Sequence, residues 1–440
     1  MEGQRVVVLG AGYGGLTCIL ALAKRFRRNG VELVLVNKHE YHQFITELHK
    51  PAAGSADCEY IRIKLSTILG GKRVRLVKAT ADRIDIENKK LVFEDGSELP
   101  FDKLVVGVGS LPEYFGIPGM KEHAFTLTSL NCSRAIHEHI EFQLASSKLV
   151  KSDLERQACR TFVIGGAGLT GVEMAGELAE TLPGLCRQYD IDPADVRVYN
   201  IEAIPTIMST FDTSLSKKAA QDLERKGVDL IVGVPIAEVT PEAISLKDGR
   251  VIPTHTVVWS GGVRAHDLLQ QSGFPVGARG RAKCDDQLRS QASPDIYVIG
   301  DCAEAIDPAT GKAVAPTAHN AIDQGLVAAK NIFADLRGGP RAHFHPVDLG
   351  AVASLGESFA VGYVGKMKLV GRPASIMKEM IELKWIWSLG GIRMVFLRLP
   401  RLFHLMKVAL LRKVPYRPLI GPRRRASQGR PEAAARVSLT

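Results

Sequence analysis

Short unbroken apolar runs alternate along this chain with stretches of helical period. RVVVL at 5–9 carries no polar residue after its first, the pattern of a strand buried on both faces. GAGYGG follows, then a helix predicted to about Arg28, then a second buried strand, VELVLV, ending at Asn37. That is a βαβ opening. Strand-like runs recur at RVRLV, KLVFEDG and DKLVVGVGS, and an amphipathic helix is predicted over about Arg134 to Lys148.

At Thr161 the pattern restarts. TFVIGG reads as a strand, AGLTGVEMAGELAETL as a helix and VRVYNIEA as the next strand, with further strands at LIVGV, ISLKDG and HTVVWSGG. The strand–turn–helix–strand unit is duplicated within the chain. IYVIGDCA at 296–303 is one more buried strand, and PTAHNAIDQGLVAAKNIFADL reads as a helix opening on its proline.

The 18 uncharged positions at 6–23 have the length of a signal peptide or a membrane span, but their glycines interrupt any continuous apolar helix. Strand, turn and helix account for them better, and the reading is of no signal peptide and no transmembrane helix. From about residue 345 apolar and basic residues mix. IMKEMIELKWIWSLGG places Ile376, Met380, Leu383 and Trp387 on one helical face, and RLFHLMKVALLRK adds a second apolar and basic segment after Pro400. Trp385 and Trp387 are residue types that suit a membrane interface.

Charge sharpens that picture. Of the net +10, residues 366–425 contribute fifteen Lys and Arg against Glu379 and Glu382, so the remainder of the chain is slightly acidic. A basic, amphipathic end fits an anionic membrane surface, and without a nucleic-acid motif or stacking aromatics it does not point to nucleic acid. A packed helix pair or a homodimer contact is the competing use. Length, at 440 residues, allows two or three domains, and the seven scattered cysteines form no CxxC or zinc spacing, so no metal site is expected.

Two constellations carry chemistry. Gly10, Gly12 and Gly15 form a GxGxxG between strand and helix: a tight turn, close backbone approach to a pyrophosphate, close helix packing, and a helix N-terminus facing the phosphates. Gly166, Gly168 and Gly171 repeat it. Two such turns imply two dinucleotides and electron transfer between them. Glu202 ends the second strand of the second unit, where a carboxylate binds the ribose hydroxyls and repels a 2′-phosphate, so NADH is favoured over NADPH. The first unit has Asn37 and Lys38 at that place, and Asp301 stands just beyond a buried strand.

With VVVLGAGYGG, NKHEYHQFITELHKPAAG, VIGGAGLTGVEMAGELAE, VYNIEAIPTIM, TVVWSGGVR, IYVIGDCA and VASLGE together, the chain resembles the type II, non-proton-pumping NADH:quinone oxidoreductases of the two-dinucleotide flavoprotein superfamily, from about Arg5 to about Arg393. The resemblance implies an α/β fold of two Rossmann-like dinucleotide-binding domains plus a C-terminal membrane-anchoring region. An FAD domain would take 1–115 and 276–340, an NADH domain 116–275, a membrane-associating region 341–415, and a basic, disordered tail 416–440. It places FAD against Gly10, Gly12, Tyr13, Gly14, Gly15, Asn37, Lys38, Thr46, Ala81, Gly109, Asp301, Ala318, His319 and Lys378. NADH lies against Gly166, Gly168, Gly171, Glu202, Gly261 and Gly262, and Glu173 stands beside the flavin. The expected partners are NADH, a membrane quinone and the cytoplasmic face of the membrane. A sulfide:quinone oxidoreductase shares the fold but needs a cysteine pair, and 303–440 holds no cysteine; an NADH-binding redox sensor or scaffold docked at a membrane by the basic end is the rival from another class. One departure concerns the helix after GDCA, where the family's two glutamines are replaced by His319 and Asp323 with Gln324 one position off. Four apart on a helix, His319 and Asp323 can meet: His319 is expected to hydrogen-bond a quinone carbonyl and help protonate it while Asp323 orients the ring, and the competing reading is a helix-surface pair that merely replaces two glutamines.

Overall fold

A computed structural model of the chain describes residues 3–27 and 30–411, with side chains as far as Phe396. Two five-stranded parallel sheets organise it. The first runs, edge to edge, Ile296–Val298, Lys103–Val106, Arg5–Leu9, Glu32–Asn37 and Arg75–Lys78. The second runs Ala124–Thr126, Thr256–Trp259, Thr161–Gly165, Arg197–Glu202 and Val228–Val232. Each has the order in which the strand entering the glycine turn is central, so the sequence repeat is also a topological repeat. Central strands such as Val6–Leu9 and Phe162–Gly165 are buried along their length, as all-parallel sheets covered on both faces require.

The chain leaves the first sheet after Val106, builds the second unit, and returns at Ile296 to pair with Lys103–Val106. The Ala318–Arg337 helix then packs on the Tyr13–Arg25 helix, with Gly14 and Gly325 at the close approach: a Cβ on Gly325 would stand 2.4 Å from the Gly14 carbonyl. Thr317 caps the later helix, accepting from the Asn320 N–H at 3.2 Å, so it starts beyond the proline rather than on it. The Tyr13–Arg25 helix stops short of Arg28, and the helix expected from Arg134 begins at Leu130 behind a Ser129 cap.

A three-stranded antiparallel sheet, Ala351–Ser354, Ala360–Val364 and Met367–Val370, leads into the long Arg372–Leu411 helix. The helix is interrupted at Gly390 and Gly391, not at Pro400 where the sequence reading separated two segments. Its inner face buries Trp385, Ile386, Leu389 and Met394, while Ile376, Met380, Ile381, Trp387, Ile392 and Phe396 are exposed. The expected apolar face is therefore real, with a correction: Trp385 belongs to the core, and Trp387 alone of the pair faces outward. No helix among the described residues is long and apolar enough to cross a membrane. The tail at 416–440 lies outside the described residues.

Candidate active site

The first glycine turn is shaped for a group that comes to its backbone. Gly10 has φ +104°, a conformation costly for a side chain, and a Cβ there would meet the Gly107 carbonyl at 2.3 Å. On Gly15 a Cβ would stand 1.9 Å from the Gly10 carbonyl, whereas Gly12 faces open space. Asn37 Oδ1 accepts from the Ala11 N–H at 3.0 Å and so holds the turn, and its Nδ2 donates to the His39 carbonyl at 2.7 Å. Tyr13 and Thr46 join through their hydroxyls at 3.1 Å. Asp301 accepts from Ser110 Oγ at 2.9 Å, next to Gly109, and burial pushes its carboxyl above the usual range. A cleft runs past Asp301 between Arg281 and the start of the Ala318–Arg337 helix. These features fit a bound dinucleotide: an open Gly12, a helix N-terminus without an acid in its first turn, and a buried carboxyl for a hydroxylated chain. Lys38 is exposed, and Ala81 lies half-buried in a separate three-stranded sheet.

The second turn repeats the geometry. Gly166 has φ +96°, and a Cβ on Gly171 would come within 2.0 Å of the Gly166 carbonyl, while Gly168 is open. Glu202 Oε2 accepts from the Ala167 N–H at 2.7 Å. The Ser260–Gly262 turn lies directly on it: a Cβ on Gly166 would be 2.8 Å from the Gly261 Cα.

Between these turns and the C-terminal region lies a buried charged cluster. The helix Leu169–Gln188 carries Glu173, 7% exposed. Its Oε1 pairs with Lys378 Nζ and accepts from the Ser354 N–H at 3.3 Å, while Lys378 also donates to Ser354 Oγ at 2.8 Å. His49 Nδ1 lies 3.8 Å from Glu173 Oε2. Lys50 pairs with Glu47 at 2.6 Å, and Glu47 is 3.7 Å from Lys378. Burial raises the Glu173 carboxyl, with Lys378 pulling against it. Burial opposes a charged Lys378, but Glu173 and Glu47 outweigh it and hold the ammonium above its ordinary range. Burial, aided by Lys378, drives His49 well below the imidazole range. Burial also opposes charge on Glu47, yet Lys50 and Lys378 prevail and keep it ionised. Lys378 was expected beside the flavin, and its described contacts are with this cluster.

A latch places the C-terminal sheet here. Glu180 accepts from the Glu357 N–H at 2.8 Å and pairs with the buried Lys226 at 2.7 Å, and Lys226 also donates to the Leu355 carbonyl. Gly176 has no side chain because the Leu355–Gly356 backbone lies against it: a Cβ would meet Leu355 at 2.5 Å. A second latch joins the last helix to the first glycine turn. Trp385 Nε1 donates to His42 Nε2 at 3.1 Å, and His42 Nδ1 donates to the Ala11 carbonyl at 2.9 Å. Sequence reasoning missed Glu47, His49, Lys50, Glu177, Ser354, Arg281 and Trp385's inward role. The available signal was Glu173, Glu177 and Glu180 recurring on one face of a helix otherwise made of small apolar residues.

His319 Nε2 stands 3.2 Å from Asp323 Oδ2 and 3.1 Å from the Val347 carbonyl. Among the described residues, no hydrogen bond or ion pair links this pair to Glu173 or Lys378. Gln324 is buried and accepts from the Gly300 N–H at 2.5 Å, which ties it to the turn bearing Asp301. Glu155, Cys159 and His255 bring three possible ligand atoms within 4.8 Å, but both His255 ring nitrogens are engaged, by Glu155 and the Pro241 carbonyl.

The pyridine nucleotide-disulphide oxidoreductase family model matches residues 4–325. The type II NADH:quinone oxidoreductase of Staphylococcus saprophyticus is 35% identical over 396 residues, covering 89% of this chain and 98% of that one. This chain is a member of the type II NADH:quinone oxidoreductase family. The Staphylococcus aureus enzyme of the same name matches at the same identity and coverage. In three dimensions the chain is similar to NDH2 from Plasmodium falciparum in complex with NADH, with TM-score 0.80, 17% identity, and coverage of 95% and 100% of the two chains. The sulfide:quinone oxidoreductase of Aquifex aeolicus, TM-score 0.70 at 19% identity over 88% and 91%, shares the fold. Family membership and the duplicated turns agree in placing two dinucleotide units side by side. The rival sulfide chemistry is less supported, since Cys159 sits with Glu155 and His255.

Proposed function

We propose that the chain oxidises NADH and passes two electrons to a membrane quinone without pumping protons, with FAD in the first unit and NADH in the second. The balanced reaction is NADH + H⁺ + quinone → NAD⁺ + quinol. FAD, when bound, accepts the hydride and returns two electrons. The first unit, 1–115 with 276–340, offers Gly12, Asn37, Gly109, Asp301 and the Tyr13–Thr46 pair to it. The second unit, 116–275, offers Gly168 and the Glu202 carboxylate to NADH, and the charge on Glu202 disfavours a 2′-phosphate.

The observation that carries this reading is the meeting at Glu173. Its helix begins at the second glycine turn, while Lys378 and Ser354 reach it from the C-terminal region. Quinone reduction consumes two protons. The Glu173–Lys378 pair is suited to hold one of them, shared between a carboxyl that burial raises and the ammonium it contacts. Ser354 and His49 position the pair.

The Arg372–Leu411 helix has Lys378 on its inner side and Ile376, Met380 and Trp387 exposed on its outer side. A helix of that kind brings the proton-holding pair to a membrane surface, where Arg and Lys meet anionic headgroups. The placement is peripheral, on the cytoplasmic face. A homodimer contact would use the same outer face.

Anaerobic titration of the purified yellow protein with NADH, then quinone, tests the chemistry. Flavin bleaching followed by reoxidation is expected, and bleaching that quinone cannot reverse would remove quinone as acceptor. A chain ending at Gly371 should leave the membrane fraction. Sedimentation of that truncated, flavin-containing chain with membranes would sink the docking role.

A further inference from the structure

Phe115 is out of place by two ordinary criteria. It is 54% exposed, and its backbone sits at φ +53°, where a bulky residue is a true outlier. The surroundings hold it there. Its N–H donates to Glu113 Oε1 at 2.9 Å, the Glu113 N–H donates to the Gly262 carbonyl at 3.0 Å, and the Glu113 carbonyl accepts from Trp259 Nε1 at 2.7 Å. Strain kept in place by several contacts is a feature of functional sites.

The ring lies over the Ser260–Gly262 turn. A Cβ on Gly262 would stand 3.0 Å from Phe115 Cζ, and one on Gly261 would stand 2.3 Å from the Trp259 ring, with the two rings edge to face at 6.4 Å. Both glycines are therefore covered by the chain's own aromatics. The same turn packs on Gly166 of the second glycine turn, so Phe115 stands at the mouth of the NADH unit.

Arg279 lies over the ring, its guanidinium carbon 6.0 Å from the centroid. It too is exposed and at positive φ, +56°. Among the described residues it pairs with no carboxylate. Two residues on, Arg281 is buried in the cleft beside Asp301. The short segment carrying both arginines therefore stands between the two dinucleotide units.

We propose that Phe115 and Arg279 are binding residues for the nicotinamide dinucleotide: the ring moves off Gly262 and stacks on a flat ring of the ligand, and the guanidinium meets its diphosphate. A planar, permanently charged donor fork suits a diphosphate, and an aromatic face suits either ring of the dinucleotide. The proposal rests on NADH occupying the second unit.

The test uses the FAD-loaded enzyme and NAD⁺ as probe, read by titration calorimetry, with flavin content and Tm measured on every variant. Phe115→Ala should weaken NAD⁺ about three- to tenfold, and Phe115→Trp should keep it. Arg279→Gln should weaken it by a similar factor and flatten the dependence on ionic strength. Phe115→Gly is the decisive variant, since glycine adopts positive φ freely. It should lose NAD⁺ affinity as alanine does while Tm holds or rises. NAD⁺ affinity unchanged in both Phe115→Ala and Arg279→Gln overturns the proposal, as does affinity lost in Phe115→Gly only together with Tm. A wild-type protein that binds no NAD⁺ would instead overturn the assignment of the second unit.

Discussion

Asn37 ends the second strand of the first unit and Glu202 ends that of the second, yet each accepts the same backbone proton. Asn37 takes it from Ala11 at 3.0 Å and Glu202 from Ala167 at 2.7 Å. Holding the glycine turn therefore needs an acceptor and not a charge. The carboxylate in the second unit also accepts from the Ile204 N–H at 3.3 Å, and it adds a negative charge that the first unit lacks at this place. The helices diverge in the same way. Counted from the open glycine of each turn, Thr17, Ala21 and Lys24 in the first unit correspond to Glu173, Glu177 and Glu180 in the second. Thr17 merely donates to the Tyr13 carbonyl at 2.8 Å, whereas Glu173 and Glu180 reach the C-terminal sheet. One backbone plan thus carries a helix without acids at these positions and another whose acids gather groups from the C-terminal sheet.

The sharpest way to break this comparison is to make one lesion twice. A Cβ meets the Gly10 carbonyl at 1.9 Å in Gly15→Ala and the Gly166 carbonyl at 2.0 Å in Gly171→Ala. The clash with the carbonyl is nearly equal, and Gly171→Ala adds one with Ser260 Oγ at 2.8 Å, so which ligand is lost, rather than how much stability, reports what each unit holds. Gly15→Ala should purify without flavin and without activity. Gly171→Ala should remain yellow and lose more than about 100-fold in kcat/KM for NADH. Flavin absorbance per protein chain decides, and a colourless Gly171→Ala with a yellow Gly15→Ala would exchange the two assignments.

Glu202→Gln is smaller and more selective. The amide oxygen can still accept from Ala167, and only the longer, exposed bond from the Ile204 N–H at 3.3 Å is lost, so stability should fall little while repulsion of a 2′-phosphate disappears. The NADH-to-NADPH preference in kcat/KM should fall roughly ten- to 100-fold. Wild-type kinetics with equal use of both nucleotides would rule the assignment out.

Smaller again is the effect of Glu177, the counterpart of Ala21. It is 1% exposed, and burial raises its carboxyl from an ordinary 4.5 to about 7, with Lys50 and Ser55 pulling down and Glu180 and Glu357 pushing up. A raised carboxyl stabilises the fold fully below pH 4.5 and loses that contribution as pH rises through about 7. The swing is on the order of 3 kcal/mol. Glu177→Gln removes it, so the variant should gain Tm relative to wild type at pH 8 and not at pH 5. An equal difference at both pH values would show that the carboxyl does not titrate there.

What could be read from the sequence is what local backbone chemistry demands. Gly10, Gly15, Gly166 and Gly171 are needed by the turns themselves, and Glu202 is placed by counting from them. The charged cluster was hidden for the opposite reason. Glu173 and Lys378 are 205 residues apart, and although Glu47 and Lys50 pair locally, nothing local says that they and His49 are buried, because Glu173 and Lys378 reach them from distant parts of the chain. Trp385 and Trp387 illustrate the same limit. They differ by two positions on one helix, which points them to different faces, and only the packing against Tyr13 and His42 decides which goes in.

The weakest effect is expected at His319, where the sequence alone placed a proton donor for quinone. A carbonyl can only accept, so His319 Nε2, 3.1 Å from the Val347 oxygen, carries the hydrogen. That hydrogen is engaged by the Val347 carbonyl and is not aimed at a quinone oxygen. Asp323, 3.2 Å from the same nitrogen, adds to a contact that fastens the start of the Ala318–Arg337 helix to the loop before Ala351. Both side chains are about one-third exposed, so the pair is worth little. His319→Ala should lower Tm by at most about 2 °C and leave both half-reactions within about twofold of wild type. Stopped-flow measurement separates the outcomes. Tenfold slower flavin reoxidation by quinone, with flavin reduction by NADH untouched, would return His319 to the proton path and make Glu173 and Lys378 its support rather than its replacement.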